Sequence, residues 1–302
     1  MTDLIKRRIL IFGSNGMLGQ RLTEKLMLDS NVELFCSSFE KDPFNKDTDY
    51  KQVDLSDKKA IKSLINQFYP DVIINAAAYT AVDKSEEERE LAWAINADAP
   101  GKISKYANAI DAKLVHISTD YVFDGNNGPF DEKEMPNPIN YYGRSKLAGE
   151  NAIKANLCKH AILRTNVLYG PAKYGRMDFV KWVVNSVRSE KTIKIVNDQI
   201  NNPTYIDDLV QGILKVIEFE KEGIYNIGGS EFLNRFEFTL RIADFFKLDK
   251  SKIEPITTKE LNQPAKRPLK SGLITLKAET EFGYKPMPIE DTFLLMKKEL
   301  SL

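Results

Sequence analysis

A chain of 302 residues is long for one domain, and α/β proteins of this length often pair a large unit with a smaller one, which is the starting expectation. With 42% hydrophobic and 28% charged residues the composition supports a sizeable core and excludes disorder, while 43 basic against 43 acidic residues leave no net field to gather a polyanion, so nucleic acid is not expected as a partner. Two cysteines, Cys36 and Cys158, are too few for a disulfide framework and lack metal-site spacing, which fits a reducing cytoplasm.

In chain order, residues 1–8 are charged and run into Ile9-Leu10-Ile11-Phe12, an apolar stretch too short for a signal-peptide core or a membrane span; it reads as a first buried strand. Up to about residue 165, strand-length apolar runs alternate with amphipathic stretches. Strands are expected at 8–12, 32–37, 50–53, 71–76, 113–118 and 160–164, and helices at 17–28, 58–68, 86–109 and 142–156. This alternation predicts an α/β fold, a doubly wound parallel sheet of Rossmann type with crossover helices on both faces. After Gly170 the pattern loosens into a helix near 179–189, a strand at 193–196, a turn-rich stretch at 197–203 and a helix at 239–246, with prolines at 255, 264, 268, 286 and 288 interrupting longer elements. Residues 1–165 are therefore expected to form a dinucleotide-binding domain. Residues 166–302 are expected to be mainly a smaller, irregular α/β substrate domain, with segments near 190–225 able to return to the first.

Directly after the first strand comes Gly13-Ser14-Asn15-Gly16-Met17-Leu18-Gly19, a Gly-x-x-Gly-x-x-Gly run opening an amphipathic helix. Glycines let the backbone turn sharply and approach a pyrophosphate, whose charge then meets the free N–H groups and positive dipole end of the helix. A dinucleotide site is expected here, a plain glycine-rich turn being the alternative. An NAD site usually carries Asp or Glu at the end of the second strand, but this one ends Cys36-Ser37-Ser38 with Lys41 nearby, which tolerates a 2′-phosphate and favours NADPH slightly over NADH. Asp54-Leu55 ends the third strand, where the carboxylate either accepts from an adenine amino group or is merely solvated. The fourth strand leaves through Asn75-Ala76-Ala77-Ala78-Tyr79-Thr80, small side chains that let backbone pass close to a flat cofactor or simply pack strand on helix.

Tyr142 and Lys146, in Tyr142-Gly143-Arg144-Ser145-Lys146, stand four apart and share a helix face, which can be catalytic or merely solvated. A free tyrosine titrates near pH ~10, and a lysine cation beside it stabilises the phenolate, so Tyr142 is expected to be a general acid. Thr119, at the end of the fifth strand, can hydrogen-bond the substrate oxygen and stabilise developing charge. His116 and His160 are expected to be structural, with no metal site. Glu86-Glu87-Glu88 reads as a solvated helix start, and Phe232, Phe236, Phe238, Phe245 and Phe246 as core of the second domain.

Taken together these motifs resemble the dTDP-4-dehydrorhamnose reductase family of extended short-chain dehydrogenases. The resemblance rests on the glycine run, on Asn75-Ala76-Ala77-Ala78-Tyr79-Thr80-Ala81-Val82-Asp83-Lys84, on Ser118-Thr119-Asp120-Tyr121-Val122-Phe123-Asp124-Gly125, on Tyr141-Tyr142-Gly143-Arg144-Ser145-Lys146, on Asn197-Asp198-Gln199 and on Arg267-Pro268. It implies Thr119, Tyr142 and Lys146 as catalytic trio and Thr119 with Asp120 against the sugar. It also implies a cofactor lined by Gly16, Met17, Leu18, Asp54, Ala78, Tyr79, Thr80 and Ile117, and reduction of the C4 ketone of a 6-deoxy-4-keto nucleotide sugar. A homodimer is compatible with it, and no membrane partner is implied.

The sequence departs from the family pattern twice. Arg164-Thr165-Asn166-Val167 stands where the family commonly reads Arg-Thr-Ser-Trp, so Val167 leaves the sugar wall short of an indole, and Arg21 replaces a glutamate used in some members in metal-bridged dimers, so no such dimer is expected. The alternatives are an epimerase or dehydratase, and a regulatory subunit resembling the beta subunit of methionine adenosyltransferase. The intact trio favours catalysis.

Overall fold

The computed structural model describes residues 6–175 and 177–300; the first five residues of the charged N-terminal stretch lie outside them. The first half runs β1 (Arg7–Phe12), α1 (Met17–Leu26), β2 (Val32–Ser38), β3 (Asp49–Gln52), α2 (Lys58–Phe68), β4 (Val72–Asn75), α3 (Arg89–Trp93), α4 (Ala99–Ala109), β5 (Lys113–Thr119), α5 (Tyr141–Ala155) and β6 (His160–Thr165). The second half adds β7 (Leu168–Tyr169), α6 (Phe179–Arg188), β8 (Ile193–Val196), β9 (Ile200–Asn201), β10 (Thr204–Tyr205), α7 (Ile206–Glu218), β11 (Gly223–Asn226), β12 (Leu233–Asn234), α8 (Arg235–Phe246), β13 (Ile253–Ile256), α9 (Thr258–Leu261), α10 (Leu276–Phe282) and α11 (Ile289–Leu300).

The central sheet is parallel throughout, in the order β11-β6-β5-β4-β1-β2-β3. Its winding reverses between β1 and β4, so the chain has the expected doubly wound α/β fold. Strand alternation divides the core. Ile9 and Ile11 of β1 belong to the core cluster that takes in residues of α1, α7, α8 and α11, while Leu10 and Phe12 belong to the one with residues of α2, α4 and Ile153 of α5. β11 joins the sheet beside β6, and α7 packs across α1. Three two-stranded ladders, β10 with β7, β12 with β9 and β13 with β8, organise the rest of the second half. No helix among the described residues is long and apolar enough to cross a membrane.

Three sequence expectations are corrected. The helix expected over 86–109 is broken into α3, a π-helical turn at Ala94–Asp98 and α4. Pro100 has no N–H for the carbonyl of Asn96, so the ladder widens there. That freed carbonyl is where α5 comes closest, since a Cβ on Gly149 would lie 2.2 Å from it. The acidic run is more than a solvated turn: Glu86 accepts from the backbone N–H of Tyr141 at 2.9 Å and Glu88 from the Tyr79 hydroxyl at 2.6 Å. Of the five phenylalanines, Phe238 and Phe246 are buried against Phe293, but Phe232 is exposed.

Candidate active site

The carboxyl ends of β1, β2, β4 and β5 open into one cleft of about 1180 Å³, at the point where the winding reverses. Gly13, Asn15, Gly16, Met17, Leu18, Ser37, Ser38, Asp54, Leu55, Ala76, Ala78, Thr80 and Ile117 line it, as do Thr119, Asp120, Tyr142, Lys146 and Val167. Two residues expected against the cofactor do not. Gly19 lies beneath the glycine loop, where a Cβ would meet the Gly13 carbonyl oxygen at 2.1 Å, so it seats helix on loop. Tyr79 turns its hydroxyl to Glu88, and its backbone N–H and C=O pair with the Asn96 carboxamide at 2.9 and 3.0 Å, so it braces the segment after β4.

Several contacts fix the reacting end of α5. Asn140 caps the helix, accepting from Gly143 N–H at 2.8 Å while donating to the Lys266 carbonyl at 2.8 Å. Gly143 allows the helix to approach the turn after β5, since a Cβ there would lie 2.1 Å from the Tyr121 carbonyl oxygen. The Tyr142 ring meets Tyr121 edge-on at 5.8 Å. Thr119 accepts from Tyr121 N–H at 3.1 Å and donates to Asp120 at 3.0 Å, and the other oxygen of Asp120 accepts from Ser271 at 2.5 Å. Below this layer Arg164 grips Glu150 with bonds of 3.0 and 2.7 Å, both residues being buried.

Burial dominates the electrostatics. It drives the Tyr142 phenol well above its ordinary value, only partly opposed by the Thr119 hydroxyl, so the phenol holds its proton at neutral pH. It lifts Asp120 to about 7 against the bonds from Ser271 and Thr119, and it brings Lys146 down to about 8 against the pull of Glu150. The Lys146 ammonium was expected beside the phenol, but Nζ donates to the Ile117 carbonyl at 2.6 Å and faces His116.

The cleft also contains groups that no local sequence pattern marks. Phe39 and Glu40 follow β2, and the Glu40 carboxylate accepts from Asn15 Nδ2 at 3.3 Å. Phe179 and Trp182 of α6 contribute aromatic faces, and the Arg235 guanidinium lies 5.3 Å above the Phe179 ring. Arg21, the second departure, lies outside the cleft; it pairs with Asp207 of α7 and Glu299 of α11 within the chain.

The sequence model described as the RmlD substrate binding domain matches residues 7–301. The chain belongs to this family. Within it, a dTDP-4-dehydrorhamnose reductase of Aggregatibacter actinomycetemcomitans is 32% identical, over 92% of this chain and 94% of the relative. The methionine adenosyltransferase 2 subunit beta of Bos taurus is 33% identical, over 92% of this chain and 83% of the relative. Among solved structures, a dTDP-4-dehydrorhamnose reductase from Bacillus anthracis str. Ames in complex with NADP superposes with a TM-score of 0.83 at 33% identity, covering 97% of this chain and 99% of that one. The motifs singled out above thus belong to an RmlD-family chain matched almost end to end.

Proposed function

We propose that the protein is a nicotinamide-dependent reductase acting on the C4 ketone of a nucleotide-activated 6-deoxy-4-keto sugar and giving a product of the dTDP-L-rhamnose type. The convergence of Thr119, Tyr142 and Lys146 on a cleft that begins at the glycine loop carries the reading, in a chain akin to reductases of that name. The residues fit the cofactor: among the described residues α1 has no side-chain cap and no acid in its first turn, so its N–H groups are open to a pyrophosphate, and Ser37 Oγ is buried with no partner among them. The loop from Gly13 to Leu18 would hold the pyrophosphate, Ser37 and Ser38 the ribose, Asp54 and Leu55 the adenine, and Ala76, Ala78, Thr80 and Ile117 the nicotinamide. Bound there, NADPH or NADH supplies a hydride to the ketone carbon. Tyr142 gives its proton to the ketone oxygen as negative charge grows, and the Thr119 hydroxyl turns from Asp120 to the same oxygen.

Ser37, Ser38 and Lys41 favour NADPH slightly, but Glu40 opposes it, because a carboxylate on that wall suits ribose hydroxyls and repels a 2′-phosphate. Glu40→Gln should raise the NADPH-to-NADH ratio of kcat/KM by roughly five- to tenfold, the scale of one removed like-charge contact near a surface. An unchanged ratio would mean that Glu40 does not reach the ribose.

Val167 leaves the sugar wall short of an indole, and Trp182 supports a substitute face from α6. Trp182→Ala should raise KM for the sugar nucleotide by roughly fivefold with kcat little changed. If Val167→Trp instead lowers KM and Trp182→Ala has no effect, the wall lacks its aromatic face.

The beta-subunit relatives make a non-catalytic nucleotide-binding role the second reading, which the intact trio disfavours. Offering nucleotide 4-keto sugars with each reduced cofactor separates the two. Loss of reduced-nicotinamide absorbance with the 6-deoxy-4-keto sugar supports the reductase; cofactor binding without any loss supports the subunit.

A further inference from the structure

The connection between β7 and α6 is tied to the helix of the glycine loop by one side chain. Gln20 of α1 is 3% exposed. Its Nε2 donates to the Asn15 carbonyl at 2.7 Å and to the Tyr174 carbonyl at 2.8 Å, and its Oε1 accepts from the backbone N–H groups of Lys173 at 3.1 Å and Tyr174 at 3.2 Å. Backbone N–H groups only donate and carbonyls only accept, so the carboxamide has one orientation and every bonding position on it is taken. Asn15 is pinned in turn, because its own carboxamide bonds the Asp42 carbonyl and the Phe44 N–H after β2. Among the described residues, the backbone from Pro171 to Gly175 makes no bond to other backbone, and Gln20 supplies every side-chain bond it makes. The Lys173 ammonium does meet Glu24, but from a side chain 72% exposed, where an ion pair adds little. Directly afterwards Gly175, at φ +89°, turns the chain toward α6.

This stretch and the helix it leads into line the cleft. Tyr174 stands beside the glycine loop, and Phe179 and Trp182 follow on α6, at the wall assigned above to the sugar. We infer that Gln20 is a positioning residue that couples the two ligands of the cleft: a dinucleotide held between the glycine loop and Tyr174 fixes both sides of the Gln20 carboxamide, and the fixed connection sets α6 for the sugar. Without the dinucleotide, a stretch whose backbone hangs on one side chain opens locally at low cost. With it, the open arrangement is disfavoured, and whatever binds against Phe179 and Trp182 meets a wall already in place. The effect is reciprocal, so the second ligand tightens the first by the same factor. The identity of the two ligands rests on the reductase reading above; the linkage through Gln20 does not.

Amide hydrogen exchange of the intact protein tests this without turnover. Saturating NADPH alone, with no sugar present, should slow exchange at Lys173 and Tyr174 by about tenfold or more in the parent. In Gln20→Met, which keeps the side-chain volume and loses all its bonds, saturating NADPH should slow it by less than about twofold. Unchanged exchange in the parent overturns the inference with no variant needed. Equal protection in Gln20→Met, whether or not its melting temperature falls, makes Gln20 a packing residue and overturns it too. A second readout follows α6. The chain has two tryptophans, so Trp93→Phe leaves Trp182 as the only indole. Oxidised NADP+, which does not absorb the indole emission, should shift that emission in the Trp93→Phe protein and leave it unmoved once Gln20→Met is added. No shift in the first protein, or the same shift in both, breaks the link from Gln20 to α6. Protection and shift without reduction of any keto sugar would uphold the linkage and sink the reductase reading alone.

Discussion

Tyr142→Phe should lower turnover by about 10²-fold or more and leave cofactor affinity within a few-fold. The phenol faces the cleft beside Thr119, and burial keeps it protonated, the state required of a group that gives a proton to a ketone oxygen. Phenylalanine fills the same space and keeps the edge-on contact with Tyr121, so the variant should lose the proton and little else. Steady-state turnover alongside a cofactor titration checks both halves. Near-normal turnover would remove Tyr142 as the acid, and a matching collapse of cofactor binding would point to lost structure.

The largest effect on stability is expected at Glu150. Its carboxylate, 0% exposed, takes two bonds from Arg164 and one from Ser118 at 2.5 Å, tying α5 to β6 and β5 one turn below Lys146. Glu150→Ala leaves a buried guanidinium whose Nη1 already has no partner among the described residues. Breaking such a pair costs about 3–5 kcal/mol, seen as a lowered melting temperature, and activity should fall with it because the pair aligns β5 with α5. Replacing both members with apolar residues of similar volume should recover much of the stability, since no buried charge is then left alone. A melting temperature unchanged in Glu150→Ala would contradict this account of the layer beneath the site.

The sheet was legible because β1, β4, β5 and β6 are buried on both faces and read as apolar runs, and the glycine loop follows the first of them directly. Other features depend on partners distant in sequence. The π-helical turn looks like ordinary helix until Pro100 is seen to release the Asn96 carbonyl to Gly149. Pro286 and Pro288, read as interruptions, lie just before α11 rather than inside it. Pro255 is tolerated in β13, one strand of a two-stranded ladder. Asn234 and Glu237 form a capping box, an Asn-x-x-Glu spacing visible in the sequence, that starts α8 at Arg235, four residues before the start expected at 239. That spacing puts Arg235 at a helix start, but nothing local in the sequence turns it, Trp182 or Glu40 toward the cleft.

The most direct test of a reductase acting at C4 uses reduced cofactor carrying deuterium at the transferred position, incubated with a nucleotide-linked 6-deoxy-4-keto sugar. Net oxidation of one cofactor per sugar and deuterium on C4 of the product are expected, both greatly slowed in Tyr142→Phe. Sugar converted without net cofactor oxidation, or deuterium found elsewhere than C4, would contradict it.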